Sequence, residues 1–171
     1  LVQLVFDAIA LGGQVIGMSM GLGFAVFLDK VRGVSVPVLG QLFLMLSMLV
    51  FLALDGHLAM IKLLVESFRA WPMAQSGLTT PILSELLIWT SQLFIFAMKI
   101  ALPAVTALLT VNISFGVMSR AAPTLNLFAV GFPVAMLLGF MVIFLNMGVL
   151  VENVSNFLTI SITAVSQLLE L

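Results

Sequence analysis

The feature that most limits this chain is how rarely a charge interrupts it. Ala8–Leu28 runs 21 residues without one, Gly33–Leu54 runs 22, Ala121–Val151 runs 31 and Asn153–Leu169 runs 17. Leu86–Met98 and Ile100–Ser119 are parted by Lys99 alone. A helix that crosses a bilayer needs about 20 predominantly apolar residues, so length allows four to six long helices. A transmembrane barrel would alternate apolar and polar residues in short segments, and runs such as Leu42–Leu54 do not alternate. The expected fold class is all-α: an integral membrane protein of long, Pro- and Gly-interrupted helices and helical hairpins. The helices are expected over roughly 1–28, 35–70, 82–119 and 124–169, interrupted near Pro72, Pro103 and Pro133.

Composition removes other classes. The chain is 63% hydrophobic and 8% charged, whereas a soluble domain carries roughly a quarter charged residues. A water-soluble domain could not cover itself with so little polar surface. The net charge of -1 leaves no basic footprint for nucleic acid. With no Cys there are no disulfides, thiolate metal sites or Cys nucleophiles. One His, with no accompanying catalytic set, gives a membrane enzyme little to build on, so no enzyme activity, cofactor or metal is expected. The chain opens on Leu1, without an initiator Met, a basic n-region or an A-x-A-like cleavage site, and reads as starting partway through a longer protein. Lys30 and Arg32 follow the first run, and Lys62 and Arg69 follow the second. If both runs spanned, these pairs would lie on opposite sides with no positive-inside bias. Either preceding residues set the orientation, or the runs are buried against other protein chains.

A few residues stand out of the apolar background. Gly12, Gly13, Gly17, Gly21 and Gly23 are dense for a helix interior. Gly13 and Gly17 suit close helix packing, as does Gly17-x-x-x-Gly21. Gly21 and Gly23 each weaken a helix by ~1 kcal/mol and precede Phe24 and Phe27, one turn apart. Flexible backbone carrying bulky apolar rings is what a hydrophobic constriction or plug requires; ordinary packing explains the same residues equally well. The eleven Met are mostly core filler. Asp55 and His57 open an amphipathic stretch that Trp71-Pro72 ends, and they read as a polar cap at an interface. Lys99 and Glu152 interrupt long runs. Each is a candidate intramembrane functional charge; the alternative is that Lys99 reaches the bilayer surface and that Glu152 marks the end of a long helix. Arg120-Ala121-Ala122-Pro123-Thr124-Leu125-Asn126 is a turn between two apolar runs: Pro123 disfavours helix at Ala122, and Asn126 can cap the next helix. It makes a hairpin tip with a cationic end.

Several of these stretches together resemble one family. They are Ala10-Leu11-Gly12-Gly13-Gln14-Val15-Ile16-Gly17 running into Met20-Gly21-Leu22-Gly23-Phe24-Ala25; Val36-Pro37-Val38-Leu39; Leu54-Asp55-Gly56-His57-Leu58; and Ala101-Leu102-Pro103. The longest is Arg120-Ala121-Ala122-Pro123-Thr124-Leu125-Asn126-Leu127-Phe128-Ala129-Val130-Gly131-Phe132-Pro133. The chain resembles the FliR family, flagellar members of the type III secretion export gates, essentially from end to end and in order. Asp29 is followed by Lys30 where the family often has Pro, and the family's N-terminal helices are absent before Leu1.

The resemblance implies a hetero-oligomeric helical assembly with FliP and FliQ around a protein-conducting channel. FlhB wraps its cytoplasmic side and FlhA lies below. It implies unfolded flagellar proteins as substrates, a place in the bacterial inner membrane at the flagellar basal body, and an assembly raised toward the periplasm. Residues 1–84 would form a FliP-like helical part with its plug segment at 18–33, and 85–171 a FliQ-like hairpin. Gly21, Gly23, Phe24 and Phe27 would belong to the plug, and the tip residues Arg120, Pro123 and Asn126 would face the cytoplasm against a partner. The alternative from the residues alone is a small-molecule or ion transporter of the inner membrane, supported by Lys99, Asp55 and the interrupted helices.

Overall fold

A computed structural model of the chain describes residues 1–23, 37–70, 80–121 and 127–170. The architecture is all-α: α1 (Val2–Ser19), α2 (Val38–Ala53), α3 (Gly56–Ala70), α4 (Thr80–Ala121), α5 (Leu127–Leu145) and α6 (Met147–Glu170), with no strand among the described residues. Three stretches, Val2–Ser19, Leu87–Arg120 and Met147–Gln167, are long and apolar enough to cross a membrane. A fourth joins α2 to α3 across a 71° bend.

The helix breaks do not fall where the prolines suggest. Pro103 lies inside the 42-residue α4 and Pro133 inside α5, and both helices continue through them. Proline removes one N–H, but in apolar surroundings every other backbone group still needs an internal partner, so the flanking helix is kept. Next to Pro103, the Thr106 hydroxyl donates to the Leu102 carbonyl at 2.6 Å. Pro72 lies outside the described residues. The breaks that do occur have other causes. The expected helix over 1–28 stops at Ser19 in a Schellman motif: Leu22 N–H donates to Gly17 O and Gly21 N–H to Met18 O, both at 3.0 Å. Gly21 supplies the left-handed residue this stop requires, with φ 81°. The expected helix over 35–70 is divided at Leu54-Asp55, where Asp55 has φ 54°. Asp is one of the few L residues that enter this region readily, and its carbonyl accepts from Leu58 and Ala59 to start α3. Asn146 alone separates α5 from α6; its side-chain amide donates to the Val142 carbonyl at 2.8 Å.

α1 is the centre of the packing and lies chiefly against α2 and α4. Val5, Ala8, Ile9, Ile16 and Met20 form its inner face, joined by Phe43 of α2, Leu108 of α4 and Val154, Phe157 and Leu158 of α6. Phe96 stacks on Phe157 with ring centroids 3.4 Å apart, and Trp89 lies parallel to Phe157 beyond. The two sequence halves divided near residue 84 therefore share one core. The polar atoms within it are satisfied locally: Ser47 and Ser161, fully buried, donate to the carbonyls of Leu44 and Leu158.

Candidate functional site

The glycine-rich end of α1 is where the backbones come closest. A Cβ on Gly13 would lie 2.8 Å from the Leu39 carbonyl oxygen and 3.0 Å from Gly40 Cα; one on Gly40 would lie 2.8 Å from the Ala10 carbonyl oxygen. A Cβ on Gly12 would lie 3.0 Å from the Ala97 carbonyl oxygen and 3.3 Å from Ile100 Cβ of α4. α1 is thus held between two helices with backbone as its packing surface. Gly17 is also buried, but a Cβ there would meet the Leu39 side chain at an ordinary 3.6 Å. Gly21 lies past the helix end, so the close crossing pairs Gly13 with Gly40 and not Gly17 with Gly21.

Just beyond this crossing the chain turns. Met20, fully buried, precedes the turn and packs directly on Gly139 of α5. A Cβ on Gly139 would lie 2.6 to 2.7 Å from Met20 Cγ, Cε and Sδ. This contact anchors the start of the Gly21–Phe27 stretch to the second half of the chain. Gly23 resumes helical geometry, and a Cβ there would meet Met18 Cγ at 4.0 Å. Phe24 and Phe27 lie outside the described residues. Because the three atoms nearest a Cβ at Gly139 all belong to Met20, the pair is expected to be strongly non-additive. Gly139→Ala alone should destabilise by about 1–3 kcal/mol. In a Met20→Ala background the same change should cost almost nothing, a coupling of about 1 kcal/mol or more. Thermal unfolding of the purified single and double variants checks this.

The remaining candidates lie apart from one another. Asp55 and His57 are exposed at the α2–α3 junction, and the backbone there, not a side-chain network, gives the pair its place. Arg120 is exposed in the last turn of α4; Pro123 and Asn126 of the tip lie outside the described residues. Lys99 is also exposed, with its Nζ 5.0 Å from the centre of the Phe96 ring. It lines an open cleft with Pro103, Asn146, Val149 and Asn153. Sequence reasoning missed Gly40, Met20 and Gly139. Gly40, lone in an apolar run, carried a weak signal; nothing local pairs Met20 with a residue more than a hundred positions away.

Residues 1–160 match the family described as bacterial export proteins, family 1. The chain belongs to that family. Among its relatives, the flagellar biosynthetic protein FliR of Escherichia coli (strain K12) is 38% identical over 137 residues, 80% of this chain and 52% of the relative. The FliR of Pectobacterium carotovorum subsp. carotovorum is 40% identical over 139 residues, 81% of this chain and 53% of the relative. The surface presentation of antigens protein SpaR of Shigella sonnei is 29% identical over 135 residues, 78% of this chain and 51% of the relative. The chain spans about half the length of these curated relatives. The two flagellar relatives are more similar to this chain than the surface-presentation one.

Proposed function

We propose that this chain is a non-enzymatic subunit of a flagellar protein export gate in the bacterial inner membrane, joining FliP and FliQ around a channel for unfolded flagellar proteins, with FlhB and FlhA on the cytoplasmic side. The observation that carries this reading is the match to export proteins along 160 residues, including flagellar relatives at 38% and 40% identity. The surface supports it. The chain exposes 11250 Å², about 3,000 Å² more than a compact monomer of this size would. Much of the exposed surface is large apolar side chains on every helix from α2 to α6. Covering that surface with partner helices would create an interface of the obligate class, well over ~2,000 Å².

The spacing of charges on α4 supports an assembly raised out of the bilayer. Lys99 and Arg120 bracket the 20 residues Ile100–Ser119, a length of about 30 Å, which equals the hydrocarbon thickness. On this placement Thr80–Met98 projects beyond the membrane. The aromatic stack with α6 then lies outside the bilayer, together with the α1–α2 crossing and α3. Arg120, in the last turn of α4, lies at the opposite face, which the gate reading assigns to the cytoplasm.

Within the gate, Gly21–Phe27 acts as the plug. Its base is fixed by Met20 on Gly139 and by the Schellman stop. Its two rings would close a narrow apolar lumen by dewetting, which a passing polypeptide can push open. The transporter alternative would need a solute-sized site near Lys99; the cleft there encloses about 30 Å³, space for about two water-sized groups.

The test pairs assembly with leakage. The tagged full-length protein is expected to co-purify with FliP and FliQ and to lose monodispersity without them. Phe24→Ala/Phe27→Ala is expected to keep the complex and flagellar protein secretion but to raise ion leakage across the membrane several-fold. A monodisperse chain without partners would remove the gate reading; a tight membrane with an intact double-variant complex would remove the plug.

A further inference from the structure

One face of α4 carries an apolar stripe with a cation at each end. Lys99, Leu102, Leu109, Ile113 and Arg120 fall on a single stripe at 3.6 residues per turn. All are exposed, the three apolar ones by 49%, 56% and 60%. An apolar stripe about 30 Å long with a cation at each end has the dimensions and polarity of a lipid-facing surface. At the Lys99 end the ammonium does not stand free. It leans back over the Phe96 ring, 5.0 Å from its centre, away from the apolar run Ile100–Ser119. Among the described residues the one ion pair is Lys62 with Glu66, so no carboxylate among them pairs with Lys99.

Two carboxamides stand across the same cleft. Asn146 donates one side-chain hydrogen to the Val142 carbonyl and keeps a second; Asn153 lies two turns further along α6. The floor is apolar, formed by Ile16, Ile100 and Ile143. The free space of about 30 Å³ admits polar oxygens and not a whole ligand. An ammonium and amide donors at headgroup depth, above an apolar stripe, match a phosphate carried by an acyl-chain lipid.

We propose that Lys99, with Asn146 and Asn153, binds the phosphate of an anionic phospholipid headgroup, whose acyl chain lies along Leu102, Leu109 and Ile113. The inference rests on the bilayer placement given above. The site fixes the height of the subunit in the membrane: a bound headgroup holds Lys99 at the bilayer surface while the rest of α4 projects.

The experiment uses the intact complex of the full-length protein in nanodiscs of phosphatidylglycerol or phosphatidylcholine, with retained lipid counted by native mass spectrometry. Phosphatidylglycerol is expected to be retained about fivefold more than phosphatidylcholine, in line with one basic side chain near the surface. Lys99→Gln removes that preference and Lys99→Arg restores it. Equal retention of both lipids by the unaltered protein overturns the proposal, as does a preference unchanged in Lys99→Gln. Displacement of the lipid by millimolar inorganic phosphate assigns the site to free phosphate and overturns the lipid source. Loss of a partner subunit from Lys99→Gln with lipid retention unchanged assigns Lys99 to a partner's carboxylate instead. The placement itself is read separately. Because the chain has no Cys, Met98→Cys and Ser119→Cys should react with a water-soluble maleimide and Leu109→Cys should not. Labelling at 109 removes the placement; protection at 109 with no lipid preference removes the lipid site alone.

Discussion

Replacing Gly13 with alanine is expected to lower the amount of the protein in the membrane fraction sharply, and valine is expected to abolish it. Helix propensity argues the other way. Gly13 lies inside α1, where alanine is favoured by about 1 kcal/mol. What opposes it is backbone: the added Cβ would sit 2.8 Å from the Leu39 carbonyl oxygen and 3.0 Å from Gly40 Cα. No rotamer change can relieve that contact, so α1 and α2 must separate. Overpacking of this kind costs about 1–3 kcal/mol and can exceed that where backbone must shift, which decides the sign against propensity. Gly40→Ala should behave alike, because its Cβ would meet the Ala10 carbonyl from the other side. Gly116→Ala and Gly148→Ala are the controls. Among the described residues, a Cβ at either position would meet nothing within 4 Å beyond its own helix backbone, so propensity decides and these variants should be neutral or slightly stabilised. Steady-state levels and thermal unfolding of the four variants check the contrast. A Gly13→Ala protein as stable as Gly116→Ala would mean the crossing is looser than described.

The second large effect is expected at Gly56→Ala. This residue opens α3, and its missing side chain lets the Phe51 ring lie against the backbone, in a contact that a Cβ would overlap. The ring cannot step aside easily. Phe51 is 6% exposed and meets Phe6 of α1 edge to face, with centroids 5.6 Å apart. A Cβ would also approach the Phe51 carbonyl at 2.9 Å. The substitution should therefore destabilise by about 2–3 kcal/mol and open the 71° bend between α2 and α3. Melting temperature reads the first effect. The distance between spin labels on α2 and α3, measured by pulsed EPR, reads the second. Phe51→Leu in the same chain should relieve part of the loss; no relief would place the strain elsewhere.

The class and the family were legible before any coordinate. Charge-free runs such as Ile100–Ser119 and the absence of alternation force helices, because a backbone in apolar surroundings must bond to itself. The motif from Arg120 to Pro133 carried the family, and the match over residues 1–160 established it. Helix boundaries were less legible. Proline does not mark them here, since Pro103 and Pro133 lie inside continuous helices. Asp55 divides a run that hydropathy leaves continuous, by adopting a left-handed backbone.

The candidate site shows the same division. The sequence by itself determined that this chain is all-α, apolar beyond what one compact chain can cover, and rich in glycine near the end of its first helix. Those properties follow from composition and periodicity, which are local. Only the tertiary structure decided what each glycine is for. Gly13 and Gly40 admit a backbone crossing, Gly21 supplies a left-handed helix stop, Gly56 seats a ring and Gly139 seats Met20. A glycine is defined by what approaches it. Its neighbour across a packed interface can be any number of residues away, and side-chain volume and φ are set only when the helices meet.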